Sequence, residues 1–167
     1  MPATTIPQPP VEPPAADDAS GGFWLHAMPG HRVRRLHQRI VAEFNALVSR
    51  EAGLEALTHM QFAALAAIEY RPGADQATVA RLIGCDKVTA GKLLERLVGR
   101  GWVDRLRDTA DRRARRLALT AGGLAVLDRI RPLVLGGPLE RLPPLTAAER
   151  STLMDLLGRL TMPYDDA

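Results

Sequence analysis

The chain has 167 residues, 25% of them charged, with a formal net charge of +3 and a single cysteine. At about 150 residues per domain this is one domain plus a tail, long enough to bury roughly two thirds of its unfolded surface. One cysteine excludes an internal disulfide framework. The absence of a long apolar run or a charged start with an apolar stretch excludes a transmembrane helix and a secretory signal, so a cytoplasmic, reducing setting and no membrane partner are expected.

Residues 1–22 hold six of the thirteen prolines and a charge of −3. With no aromatic residue they cannot build a core, and a disordered or extended tail is expected. Phe23, Trp24 and Leu25 supply the first large apolar cluster. From His31 to Arg50, Val33, Leu36, Ile40, Val41, Phe44, Leu47 and Val48 recur at helical spacing, and Arg32, Arg34, Arg35, Gln38, Arg39 and Glu43 fill the other face. His37 lies beside this stripe, which predicts partial burial.

Thr58 and Gln61 have the spacing of a capping box, with Leu57 placed to staple onto Phe62, so a helix is predicted from there to Arg71-Pro72-Gly73. Asp75 caps a short helix over 77–83 that ends at Gly84, and Asp86 caps another running to Arg100. Trp102–Arg107 and Arg115–Leu119 read as two short strands around the polar turn Asp108–Arg113. A further helix starts at Thr120 and carries Leu124, Leu127, Ile130 and Leu133. Pro132 kinks or ends it, and Gly136-Gly137-Pro138 weakens or breaks it. Thr146 and Glu149 form a capping box for a last helix with Leu153, Leu156, Leu157 and Leu160.

The overall charge is uninformative, because 20 of the 22 basic residues are arginine and the bias devalues each one. Its distribution is not. Residues 86–116 carry ten bases and five acids, and both lysines, Lys87 and Lys92, lie there. A basic segment in a near-neutral chain is the electrostatic footprint of a nucleic-acid binder, although a solvated charged face gives the same count.

The two short helices over 76–83 and 87–99 form a helix-turn-helix candidate. Ala80 lets the second helix approach, Gly84 suits a positive-φ turn, and Ala90, Leu93, Leu94 and Leu97 face inward. Lys87, Thr89, Gly91, Lys92, Glu95 and Arg96 are left outward. Its N-terminal half is short and polar, as suits a major groove, and Gly91 lets the backbone come close to DNA. The strand–turn–strand that follows makes a winged helix. Arg112 and Arg113 sit at its tip, placed for the minor groove or phosphate, and Arg105 and Arg107 flank the backbone.

The segment Leu82–Thr120, and within it Asp108, Asp111, Arg112, Arg113 and Ala114 before a strand ending Leu119-Thr120, resembles the MarR family of transcriptional regulators, and the resemblance extends over residues 31–162. It implies a mostly α fold with a small β-wing: a winged helix-turn-helix DNA-binding lobe at 57–119, flanked by dimerisation helices at 23–56 and 120–167. The implied protein is an obligate homodimer, probing a pseudo-palindromic double-stranded operator with half-sites about 10 bp apart. The DNA-contacting set is Thr78, Lys87, Thr89, Gly91, Lys92, Arg96, Arg105, Arg107, Asp111, Arg112 and Arg113. Asp111 would orient the wing by ion pairing, Arg113 would enter the minor groove, and Arg112 is the alternative tip contact.

The resemblance also implies a small-molecule effector, an anionic aromatic or phenolic compound held between the dimerisation helices and the DNA lobe. Trp24, His31, Arg35, His37 and Phe44 are its candidate contacts. A packed His37 and solvated or paired arginines are the plainer readings. Redox response through Cys85 is one alternative, since a helix N-terminus can lower a thiol pKa, but a small apolar filler is the simpler role. A winged helix used only for protein contacts is the other. The histidines, 26, 31, 37 and 59, have no metal-binding spacing, so neither a metal nor a cofactor is expected. No phosphate loop, nucleophile elbow or paired-carboxylate signature points to an enzyme.

Overall fold

A computed structural model describes residues 24–51, 53–54, 56–107, 115–136 and 145–161. The tail over 1–22, Phe23, the wing tip over 108–114 and Gly137-Pro138 lie outside the described residues. A short 3-10 turn, Trp24–Ala27, precedes α1, Pro29–Val48. The chain then runs through α2 (His59–Tyr70), α3 (Gln76–Leu82), α4 (Lys87–Gly99), β1 (Val103–Arg107), β2 (Arg115–Leu119), α5 (Ala121–Leu135) and α6 (Ala147–Thr161). The residues form two compact units, one ending at Ile40 and one beginning at Val41.

The helix starts are set by side chains that satisfy the first backbone N–H groups, which have no partner inside a helix. Thr58 Oγ1 accepts the Gln61 N–H at 3.2 Å, and Gln61 Oε1 accepts the Thr58 N–H at 3.0 Å. Asp75, Asp86 and Thr120 cap α3, α4 and α5, and Thr146 and Glu149 reciprocate at α6. Gly84 takes φ 66° between α3 and α4, and Gly101 takes φ 69° between α4 and β1, where a side chain would be strained. Pro132 lies inside α5, which nonetheless continues to Leu135 and is closed at Gly136, whose N–H donates to the Pro132 carbonyl at 2.9 Å.

In the unit from Val41 onward, one apolar core joins the end of α1, α2, α3, α4, the two strands and α5. Phe44, Leu65, Leu94, Leu97, Val103 and Ile130 are wholly enclosed. α5 buries Gly123, Val126, Leu127 and Ile130, whereas Leu124, expected on the inner stripe, is exposed. The strands pair antiparallel in a register that sets Val103 opposite Leu119 and Arg107 opposite Arg115. The free edge of β2 is also used: Gly73 N–H donates to the Leu117 carbonyl at 3.1 Å, and Leu117 N–H donates to the Ala74 carbonyl at 2.9 Å. The loop before α3 thus acts as a short third strand and ties the wing to the helix-turn-helix. α6 is different, since none of its residues is buried.

Candidate nucleic-acid interface

α3 and α4 are joined by the turn Ile83–Asp86, with Ala80 buried in α3 and Ala90 buried in α4 where the helices meet. Ala90, Leu93, Leu94 and Leu97 form the inner face of α4, and this leaves Lys87, Val88, Thr89, Lys92, Glu95 and Arg96 exposed. The start of α4 is held by one carboxylate. Asp86 Oδ1 accepts the Val88 and Thr89 N–H groups, each at 2.9 Å, and Asp86 Oδ2 accepts the Thr89 hydroxyl at 2.6 Å.

These bonds to Thr89, then those to Val88, hold the Asp86 carboxyl below the usual carboxylate range. Its contribution to stability is therefore present above the unfolded carboxylate value and is lost as pH falls through the lowered folded value. Urea unfolding followed from about pH 6 down to about pH 3 should show wild-type stability declining through the acid range. Asp86→Asn keeps an acceptor but cannot titrate, so its decline should be shallower, and a decline identical to wild type would remove Asp86 from the acid response.

Gly91 has a different neighbour from the one its sequence position implied. A Cβ built there would lie 3.1 Å from Gln76 Nε2, and that same nitrogen donates to the Lys87 carbonyl at 3.0 Å. The missing side chain leaves room for a glutamine from α3 to brace the first turn of α4. Thr78 sits half-buried in the first turn of α3, where its N–H donates to Asp75 Oδ1 at 2.8 Å. Arg105 is exposed on β1, and Arg107 ends that strand opposite Arg115. Asp111, Arg112 and Arg113 lie outside the described residues.

Three basic residues that sequence reasoning left out of the interface lie beside Thr78. Arg71, Arg115 and Arg116, with Thr78, line a cavity of about 360 Å³ between the loop before α3 and the start of β2. Arg116 reaches back across the sheet edge to donate to the Gly73 carbonyl at 3.3 Å. Only Arg115 and Arg116 had a sequence signal, as part of the basic run; Arg71 lies in a turn with no basic neighbours.

Of the effector candidates, Trp24, His31, Arg35 and His37 belong to the first unit and Phe44 to the second. In the first unit, Arg35 lies 3.1 Å from His26 Nε2, and the His26 and His31 rings are 5.5 Å apart. Burial, then the neighbouring His26, Arg35 and Arg34 charges, lowers the His31 pKa and favours the neutral ring. Trp24 is 64% exposed. His37 is exposed rather than half-buried, because it falls on the outer side of the turn that carries Leu36 and Ile40. Phe44, in the second unit, is fully buried against His59 and Phe62, with ring centroids 5.4 and 5.5 Å away, so its face is occupied by protein. Cys85 is half-buried, and burial, followed by the adjacent Asp86 carboxylate, pushes its thiol up. The cap that stabilises α4 thereby opposes thiolate formation. Among the described residues, no group of histidine, cysteine and carboxylate side chains could hold a metal, and no helix is long and apolar enough to cross a membrane.

The profile of the MarR family matches residues 57–114, the segment that contains α2 to β1 and the wing tip. The transcriptional regulator HosA of Escherichia coli O127:H6 is 32% identical over 130 residues, which span 78% of this chain and 92% of HosA. The chain belongs to the MarR family of transcriptional regulators. Its architecture agrees with solved MarR-type structures. Bordetella bronchiseptica BpsR, in a study of how 6-hydroxynicotinic acid regulates its DNA binding, is 28% identical with a TM-score of 0.72, covering 84% of this chain and 94% of BpsR. A mutant of Escherichia coli MarR complexed with operator DNA is 27% identical with a TM-score of 0.71, covering 83% of this chain and 97% of that one. MarR membership accounts for the helix-turn-helix, the two-stranded wing and the helices flanking them.

Proposed function

We propose that this MarR-family regulator is a homodimeric repressor that occupies a pseudo-palindromic operator and leaves it when a small aromatic acid binds. The observation that carries the DNA-binding part is α4. Its inner face is locked into the core by Ala90, Leu94 and Leu97, and its outer face presents Lys87, Lys92 and Arg96 beside the basic strands of the wing. Residues 57–119 form the reading lobe, and 23–56 and 120–167 supply the dimer. The exposed Leu156 and Leu160, one turn apart on α6, support that role, because an apolar helix face that the other described residues leave uncovered needs a partner. Release by an anionic aromatic compound rests on the BpsR likeness, with Trp24, His31 and Arg35 as the contacts to test. The protein works in the cytoplasm in this reading, without a cofactor.

Operator selection from random duplexes, followed by shift titrations across salt, tests it. Arg113→Ala is expected to weaken binding to the selected operator by at least about fivefold, the lower bound of the roughly 1–3 kcal/mol that an arginine contact to a base edge is worth. Unchanged affinity would remove Arg113 from the wing contact. Lys92→Ala is expected to lower the slope of log affinity against log salt by about one per half-site if each ammonium neutralises one phosphate. An unchanged slope would assign Lys92 to base contact or to solvent.

A further inference from the structure

We propose that Val88 reads a thymine in each operator half-site through the C5-methyl group; this rests on α4 being the helix that enters the major groove. Val88 is the second residue of α4 and is 67% exposed. With about 3.6 residues per turn, the buried Ala90, Leu93, Leu94 and Leu97 define one side of the helix, and Val88, Lys92 and Glu95 run along the middle of the other.

Nothing in folding accounts for valine at this place. Its β-branched side chain has lower helix propensity than most alternatives, and here it buries little surface. The position is also rigid, because Asp86 holds the Val88 N–H at 2.9 Å and fixes the first turn. The neighbours narrow what the isopropyl group meets. Lys87 and Lys92 lie on either side of it and attract a polyanion, which is the wrong electrostatic setting for an apolar protein partner. The Thr89 hydroxyl hydrogen is engaged by Asp86, and the open side of Gly91 is filled by Gln76. Val88 is thus the largest apolar group that the start of α4 offers outward. In the major groove the complementary apolar group is the thymine methyl, which no other base carries.

Replacing thymine by uracil removes that methyl and nothing else, so the test needs no change in the protein's fold. Each thymine of the selected operator is replaced in turn by uracil, symmetrically in both half-sites, and affinity is measured for the wild-type full-length chain and for Val88→Ala. The wild type should lose about fourfold per half-site at one thymine position, the worth of one buried methyl. Val88→Ala should bind the thymine and uracil duplexes equally while keeping the wild-type circular dichroism and sedimentation. If uracil is tolerated at every position, or if Val88→Ala pays the same penalty as wild type, the assignment is overturned while operator binding stands. If no duplex is enriched at all, the DNA-binding reading fails and this inference with it.

Discussion

Gly123→Ala is expected to destabilise the fold by about 3 kcal/mol or more, toward the upper end of overpacking costs. Gly123 lies in the first turn of α5, where its N–H donates to Thr120 Oγ1 at 3.1 Å. A Cβ at this position would overlap the Trp102 carbonyl oxygen and stand 3.0 Å from the Trp102 carbonyl carbon. That oxygen is itself held in place, since it accepts the Thr120 N–H at 3.1 Å. Both partners are backbone, so neither can rotate away, and relief requires α5 to lift from the strands. The gain in helix propensity, about 1 kcal/mol for alanine over glycine, cannot offset this. Gly122 is the internal control. Its built Cβ would meet nothing closer than 3.5 Å, so Gly122→Ala should be neutral or slightly stabilising. Urea unfolding at one fixed protein concentration separates the two, and a Gly123→Ala protein as stable as wild type would refute the close approach.

Leu156→Asp combined with Leu160→Asp is expected to convert the proposed dimer to monomer and to lower operator affinity by at least a hundredfold. Leu156 is 46% and Leu160 69% exposed within one chain, so neither substitution removes a core contact, and circular dichroism separates dissociation from unfolding. In a dimer interface each carboxylate would have to be desolvated without a partner, which costs several kcal/mol. Monomers would then bind half-sites independently, and the advantage of linked half-sites, often a hundredfold or more, would be lost. Sedimentation equilibrium gives the oligomeric state and a shift assay gives the affinity. A double variant that remains dimeric and binds normally would show that α6 does not carry the interface.

The two experiments bear on different links of the same chain of causes. Gly123 decides how closely α5 can sit against the wing, and therefore how α4 and the strands are held relative to each other within one lobe. α6 concerns how two lobes are brought to one operator. The ion pair between Arg131 and Glu69, at 2.6 Å, also ties α5 to α2, but both side chains are about two-fifths exposed and solvent screens them. Packing rather than charge holds the lobe.

Much of the lobe was legible in residues close together along the chain. Thr58 with Gln61, Asp75, Asp86, Thr120, and Thr146 with Glu149 announced the helix starts, because a cap is made within three residues of the group it satisfies. Gly84 and the Ala80, Ala90, Leu94 pattern located the helix-turn-helix for the same reason. The basic excess over 86–116 located the surface. These are properties of spacing and side-chain chemistry, and the amino-acid order determined them alone.

Other features depended on groups distant in sequence, and only the tertiary structure decided them. Nothing near Gly91 announced that Gln76 would fill its open side, and no strand pattern in Gly73-Ala74 announced a pairing with Leu117. Phe44 read equally well as a ligand platform until the packing of His59 and Phe62 enclosed it. His37 read as half-buried because periodicity gives the centre of an apolar stripe but not its width, which the opposing surface sets. The exposure of Val88 follows from the core having claimed Ala90, Leu93, Leu94 and Leu97 on the other side of α4. Local chemistry chooses the elements and their ends, whereas the direction each side chain faces is settled by which surfaces meet.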